Sequence, residues 1–149
     1  MKKLFFALFL AFMLVPNISL AQEQEKKQAV YFYATWCSHC QQVDAFFKKN
    51  GFYDKYDIRK FNFDERENKV LLKKILDSKL NANAGIPALI IDEEVLMGDE
   101  PIIKDFENKI EASKGTALQY VEKFGTGKPD KIKEVPKPKK EESKESQEN

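Results

Sequence analysis

A continuous apolar segment that runs directly into a pair of cysteines constrains the fold of this chain more than any other feature. Residues 29–33 (AVYFY) are almost entirely β-branched or aromatic, which is typical of a strand buried on both faces. The turn TWCSHC follows at once and holds Cys37 and Cys40, the only two cysteines of the sequence. Val43 and Phe47 then continue a helical spacing that begins at Cys40. The sequence therefore predicts a buried strand, a cysteine turn and an amphipathic helix in direct succession.

The later apolar segments limit the topology further. They predict, in order, a strand at 56–63, a helix with its apolar face from Leu71 to Leu80, a hairpin of strands at 86–92 and 95–97, a helix capped by Asp99, and a short helix at 116–124. The main order is β-α-β-α-β-β-α, with a parallel first pair and an antiparallel hairpin. This order predicts an α/β three-layer sandwich, in which a four-stranded mixed sheet has helices on both faces.

Both ends of the chain are predicted to lie outside this domain. Lys2 and Lys3 precede an apolar run that is too short to span a bilayer, and small residues lead up to Ala21. This pattern is typical of a signal peptide at 1–21, cleaved after Ala21, although an uncleaved anchor is the alternative. We therefore expect a periplasmic or otherwise secreted protein, in an oxidising compartment where a cysteine pair can persist as a disulfide.

Composition sets the remaining boundaries. Residues 22–28 are polar and form a lead-in, residues 29–124 hold the apolar periodicity, and residues 125–149 are rich in Lys, Glu and Pro. The last segment has almost no large apolar side chain, so we expect it to be disordered. The formal net charge of +1 over 149 residues gives no electrostatic argument for nucleic acid or membrane lipid as a partner.

Cys37 stands where a thiolate is stabilised. At the start of a helix, free N–H groups and the positive end of the helix dipole favour an anion. Such positions lower the pKa of a thiol from about 8.5 into the range of roughly 3.5 to 7.5, and the thiolate is the attacking form. Cys40 lies one turn further, on the stripe that faces the core. We therefore expect Cys37 to be the nucleophile and Cys40 the resolving thiol.

His39 bears on the direction of such a reaction. A donor or a positive charge beside the Cys37 sulfur stabilises the thiolate, and hence the reduced protein, which makes the couple more oxidising. The alternative is an exposed helix residue with little influence. We treat His39 as a catalytic candidate, because the two residues between such cysteines lie next to the reactive sulfur.

Other uses of the same residues agree less well with the sequence. A structural zinc site takes four ligands, mostly Cys and His, whereas this turn offers three. A haem attachment motif has His directly after the second cysteine, a position that Gln41 occupies here. A purely structural disulfide would close a very short loop and stabilise little. We expect neither a metal nor a cofactor.

The stretch YATWCSHC after a buried strand, together with GIPALI downstream, resembles the thioredoxin superfamily over roughly residues 29–110. The resemblance implies a thioredoxin-like fold and disulfide exchange with protein substrates. It also implies a cis proline at Pro87 beside the cysteine pair. By the same resemblance, Ile86 offers backbone hydrogen bonds to an extended substrate, and Trp36 belongs to the surface that flanks the site.

Some residues depart from the family pattern. Thioredoxins place a buried acid six residues before the first cysteine, where this chain has Tyr31, so the sequence names no proton acceptor for Cys40. Lys60 matches the family's lysine at the end of the next strand, but we interpret it as an exposed lysine. Only residues 22–28 precede the first strand, a layout nearer to a glutaredoxin. The segment at 97–100 (MGDE) matches only part of the element with which glutaredoxins bind glutathione, so we do not expect glutathione to bind.

The cues to direction conflict. The Ser-His dipeptide resembles those of protein disulfide isomerase and of periplasmic oxidants, whereas Ile86 before the proline is the thioredoxin choice. We expect a monomeric, exported oxidoreductase that acts on protein thiols or disulfides and is recycled by a redox partner, with its direction left open. The alternatives are a redox-inert binding module with the cysteines locked in a bridge, and a protein that delivers metal through its cysteine pair.

Overall fold

The computed structural model describes residues 25–79 and 84–131. The predicted signal peptide at 1–21, Leu80 of the predicted helix, and residues 132–149 of the predicted tail lie outside the described residues and stay predictions. In the two described ranges, no helix is long and apolar enough to cross a membrane.

The described chain alternates strands and helices in the predicted order. The elements are β1 (Gln28–Tyr33), α1 (Ser38–Lys49), α2 (Phe52–Lys55), β2 (Asp57–Asn62), α3 (Arg66–Lys79), β3 (Ala88–Ile91), β4 (Glu94–Met97), α4 (Asp99–Ala112) and α5 (Ala117–Glu122). The single turn of α2 is an addition to the prediction. It forms because the chain turns at Gly51, between α1 and α2. Gly51 has a φ of 67°, a left-handed conformation that glycine adopts without strain.

The four strands form one mixed sheet in the order β2-β1-β3-β4. β1 pairs with β2 in parallel, which places Tyr31 opposite Lys60. β1 pairs with β3 antiparallel, and β3 with β4 likewise, so β3 and β4 form the predicted hairpin. The strand that leads into the cysteine turn is therefore central, with a neighbour on each side.

Alternate residues of β1 point to two separate cores, one on each side of the sheet. Ala29 and Tyr31 pack against α1 and α4, whereas Val30 and Phe32 pack against α3 and α5. All four are fully buried, which explains why the strand shows no polar alternation. Burying a side chain of this size stabilises a fold by about 1.5–3 kcal/mol, and the largest of these four anchor the strand on both faces.

Residues 125–131, which composition assigns to the tail, lie against the domain. The Asp130 N–H donates to the Lys60 carbonyl at 2.8 Å, on the edge strand β2. Gly127 passes so close to the Phe61 ring and Leu71 that a Cβ there would approach the Leu71 Cδ2 to 2.6 Å. The folded part thus extends past residue 124, because backbone hydrogen bonds and a glycine can hold a segment that has few apolar side chains.

Candidate active site

The two cysteines are joined in a disulfide at the point where β1 gives way to α1. Their Cα atoms lie 5.2 Å apart, a separation that one helical turn provides without distortion of the chain. Cys37 is 7% exposed, and Cys40 is fully buried. Solvent and large reactants therefore reach the pair from the Cys37 side.

Cys37 is the residue that caps the N-terminus of α1. Its Sγ accepts a hydrogen bond from the Cys40 backbone N–H at 3.1 Å, while its own carbonyl accepts from the Gln41 N–H. The sulfur thus occupies the place where a capping oxygen normally satisfies a free donor at a helix start. Negative charge on this sulfur would be stabilised by that donor and by the helix dipole.

Apolar side chains from three other places in the fold surround the pair. Tyr33, Phe63 and Ile86 pack against the small cluster that Ala34 forms with the two cysteines. The Ile86–Pro87 peptide bond is cis, and Pro87 is buried. The Pro87 carbonyl accepts the Gly98 N–H at 2.9 Å, which fixes the start of β3 to the end of the hairpin. The structure thus brings Ile86 against the cysteine pair.

Trp36 lies on the open side of the site, with 66% of its surface exposed. Its indole N–H donates to the carboxylate of Asp64 at 2.9 Å. Asp64 lies in the turn that follows β2. Because this hydrogen bond holds the large ring in place, an apolar face stands beside the more accessible sulfur. Asp64 precedes α3, which begins at Arg66.

His39 is exposed, and its imidazole is tied to the neighbouring helix. Its Nδ1 lies 3.0 Å from a carboxylate oxygen of Asp99, the first residue of α4. The hydrogen bond from His39 holds the pKa of the Asp99 carboxyl below its usual range. A carboxylate therefore lies beside the His39 imidazole, where it would offset the positive charge of a protonated ring.

A second set of polar groups lies behind the cysteine pair, between α1 and the sheet. Asp44 is one turn beyond Cys40 on α1, and its carboxylate pairs with the Lys60 ammonium at 2.8 Å. The ammonium also lies 4.0 Å from the centre of the Tyr33 ring. Only 25% of the Lys60 side chain is exposed, so its interpretation as an exposed lysine is wrong. The Lys60 ammonium lies over the Tyr33 ring because it pairs with Asp44 on α1.

Two tyrosines connect this polar set to the rest of the core. The Tyr31 hydroxyl donates to the Cys40 carbonyl at 3.1 Å, and the Tyr53 hydroxyl donates to Asp44. Burial, followed by the Asp44 carboxylate, raises the pKa of Tyr31 far above its ordinary value. Burial and the hydrogen bond to Asp44 do the same for the pKa of Tyr53. Both phenols are therefore neutral donors in the folded protein.

Sequence reasoning found the cysteines, His39 and the proline segment but missed three carboxylates around them: Asp44, Asp64 and Asp99. A signal existed for Asp44 alone, because it lies four residues beyond Cys40, the spacing that places two residues on one helix face. Within residues 25–79 and 84–131, no group of three or more Cys, His, Asp or Glu residues is arranged to hold a metal ion.

Comparison with known proteins gives a family match and a similar solved structure. Residues 17–91 match the family model described as Thioredoxin. Among solved structures, the chain is similar to the holo form of glutaredoxin C1 from Populus tremula × tremuloides, at 15% sequence identity and a TM-score of 0.43, over 66% of this chain and 87% of that chain. No curated protein sequence matches the chain. The predicted fold class, a thioredoxin-like sandwich around a four-stranded mixed sheet, is confirmed.

Proposed function

The chain belongs to the thioredoxin family, and we propose that it is an exported oxidoreductase that exchanges disulfides with protein substrates through Cys37 and Cys40. The family fold with an adjacent cysteine pair supports thiol-disulfide redox activity in general. The observation that carries the more specific proposal is the position of the Cys37 Sγ. It caps α1, accepts a backbone N–H at 3.1 Å, and is the more exposed of the two sulfurs.

The proposed exchange proceeds in two displacements. In the reducing direction, the Cys37 thiolate attacks a substrate disulfide, forms a mixed disulfide and releases one substrate thiolate. Cys40 then attacks the Cys37 sulfur, which closes the bridge and releases the second substrate thiolate. The protein dithiol loses two electrons and the substrate disulfide gains them. The oxidising direction is the same sequence in reverse, and no cofactor takes part in either.

The surroundings of the pair support protein substrates. Ile86 packs against the cysteine cluster, and Trp36 presents an exposed ring beside it. An extended segment of a substrate could place its backbone along Ile86 and an apolar side chain on Trp36, in the way that sheet edges bind peptides. In this proposal, Pro87 shapes the turn that presents Ile86, and His39 adjusts the stability of the Cys37 thiolate.

The experiment that tests the proposal traps the mixed disulfide. Replacing Cys40 with serine leaves Cys37 able to attack but removes the group that releases the substrate. We expect Cys40→Ser to form covalent adducts with disulfide-containing proteins that reductant dissolves, and its matched control, Cys37→Ser, to form none. The absence of adducts, or a Cys37 thiol that reacts slowly with iodoacetamide below about pH 7, would favour a redox-inert binding module instead.

Export is a separate part of the proposal and has its own test. The apolar run after Lys2 and Lys3 and the small residues before the expected cleavage point support a signal peptide. N-terminal sequencing of the protein purified from its natural compartment should begin at Gln22. A chain that begins at Met1 and stays with the membrane fraction would instead support an uncleaved anchor.

A further inference from the structure

The resolving step requires a base near Cys40, because the buried Cys40 thiol ionises less readily than a thiol in water. Cys40 is fully buried, and in the reduced protein it must lose a proton before it can attack the mixed disulfide. A thiol inside an apolar core is harder to ionise than one in water, because burial disfavours the charged form. The backbone N–H of Cys40 is directed to the Cys37 sulfur, so it does not assist the Cys40 sulfur itself.

Asp44 is the carboxylate that α1 brings to this place. It follows Cys40 by four residues, so the two side chains lie on one face of the helix with their Cβ atoms about 5–6 Å apart. The Tyr31 hydroxyl donates to the Cys40 carbonyl at 3.1 Å, and the charge of Asp44 acts on that same hydroxyl. The Cys40 carbonyl and the Asp44 carboxylate thus both lie near the Tyr31 hydroxyl.

The Asp44 carboxylate is positioned by two other elements. The Tyr53 hydroxyl of α2 donates to its Oδ1, and the Lys60 ammonium of β2 lies 2.8 Å from the Oδ1 and 3.1 Å from the Oδ2. The side chain is only 18% exposed. A half-buried ion pair costs desolvation free energy, and a hydrophobic pair of similar size is often as stable. The pair thus holds the Asp44 carboxylate at a fixed position and does not serve stability alone.

We propose that Asp44 is the proton acceptor for Cys40 in the resolving step, an inference that rests on the proposed oxidoreductase function. As Cys40 attacks the Cys37 sulfur, the Cys40 S–H bond breaks and its proton passes to the Asp44 carboxylate, directly or through one water. The new Cys37–Cys40 bond forms while the bond from Cys37 to the substrate sulfur breaks. The substrate leaves as a thiolate, and the proton on Asp44 is then released to it or to solvent.

The other groups that face Asp44 are less suited to this role. Tyr31 and Tyr33 approach from β1 and Tyr53 from α2, and burial raises the pKa of each phenol, so none is a base near neutral pH. Lys60 approaches from β2 and, as an ammonium, is a donor. Asp130, from the C-terminal segment, is bonded to the Tyr33 hydroxyl instead.

On its own helix, Asp44 is followed one turn later by the exposed Lys48. Among these groups, the Asp44 carboxylate is therefore the one that can accept a proton and that also lies one helical turn from Cys40.

The test separates the two displacements in one reaction. The reduced full chain is mixed with one equivalent of dithiobis-nitrobenzoate, a disulfide whose released thiolate absorbs visible light. Attack by Cys37 releases the first thiolate, and attack by Cys40 on the resulting mixed disulfide releases the second. The first phase reports on the nucleophile and on the integrity of the fold, whereas the second phase reports on the resolving step.

Asp44→Asn should leave the first phase within a few-fold of the natural protein. It should slow the second phase by about 100-fold near pH 6, the size that general base catalysis typically contributes. The deficit should shrink as the pH rises, because hydroxide replaces the missing base. Asp44→Glu keeps a carboxylate and should restore most of the rate. Asp77→Asn is the matched control, since it removes an aspartate that also pairs with a lysine at 2.8 Å but lies on the exposed face of α3.

Each outcome decides between the two proposals. If the natural protein shows no second phase, the proposed function fails. If it does show one and the second-phase pH profile of Asp44→Asn coincides with that of Asp77→Asn, Asp44 is not the proton acceptor. Should Asp44→Asn fail to fold, the double variant Asp44→Asn/Lys60→Met removes both charges of the pair and carries the same measurement.

Discussion

His39 and Asp99 join the first turn of α1 to the first turn of α4, with the imidazole Nδ1 3.0 Å from a carboxylate oxygen. The sequence gives no sign of this contact, because the two residues lie on separate helices. The contact bears on the proposed role of His39: a positive imidazole would stabilise the Cys37 thiolate, and the carboxylate beside the ring would counter that effect. The oxidising influence expected of His39 is therefore moderated by its partner.

Removal of that carboxylate should make the couple more oxidising. Asp99→Asn removes the carboxylate charge that lies 3.0 Å from the His39 Nδ1 and keeps a side chain of nearly the same size. The thiolate of Asp99→Asn then has one negative charge fewer nearby. We expect the reduction potential to rise by less than about 30 mV, which is a tenfold change in the equilibrium constant of a two-electron couple.

Equilibration with glutathione buffers measures this potential. Glu100→Gln is the matched control, because it removes an exposed acid one residue further along α4. An equal rise in Glu100→Gln would show that overall charge, and not the contact with His39, sets the potential. A fall in Asp99→Asn would mean that Asp99 acts by keeping the imidazole protonated or in place.

Asn68 holds the C-terminal segment to the domain. Loss of its buried side-chain amide should therefore lower the stability of the fold. It is fully buried on α3, its Oδ1 accepts the Lys128 N–H at 2.7 Å, and its Nδ2 donates to the Lys128 carbonyl at 3.0 Å. The same Nδ2 also donates to the Asn62 carbonyl. Asn68→Ala removes these bonds and should lower the free energy of unfolding by about 1–3 kcal/mol.

Urea unfolding measures this loss, and limited proteolysis should show faster cleavage within residues 125–131. Asn108→Ala, which truncates an exposed asparagine on α4, should change the free energy of unfolding by no more than about 0.5 kcal/mol. If the two variants have the same stability and the same cleavage pattern, the segment does not depend on Asn68.

The contrast between these residues and the cysteine turn shows what local pattern can predict. The strand before Cys37, the helix after it and the hairpin follow from apolar periodicity and turn residues, which act over a few neighbours. Asp44 and Lys60 lie 16 residues apart, and they meet because β1 and β2 pair in a register that sets Tyr31 beside Lys60. Periodicity predicts the two elements but not their register.

Composition predicts a disordered tail from residue 125, but residues 125–131 lie against the domain. The segment has few apolar side chains, and its order depends on a glycine that fits over Phe61 and on the buried amide of Asn68. Neither residue type is distinctive in a sequence. The segment also covers part of the exposed edge of β2, which an unprotected sheet would otherwise present to other chains.

The raised pKa values of the tyrosines near Asp44 lead us to expect that the protein loses stability at alkaline pH. Burial is the first cause of the raised pKa of Tyr31, Tyr33 and Tyr53, and Asp44 adds to each. The folded protein therefore keeps protons that the unfolded chain releases. Their contribution is complete below the unfolded tyrosine pKa of about 10 and is lost as the pH rises above it.

Urea unfolding followed from about pH 8 to about pH 11.5 checks this sign, with tyrosinate absorbance recorded in parallel. Tyr53→Phe removes one of the three groups, so above pH 10 its free energy of unfolding should fall less steeply, by at most about 1.4 kcal/mol per pH unit. Ionisation of all the tyrosines near pH 10 in a protein that is still folded would contradict the prediction. It would also make the Tyr31 phenol available as a base beside Cys40, and would weaken the assignment of Asp44.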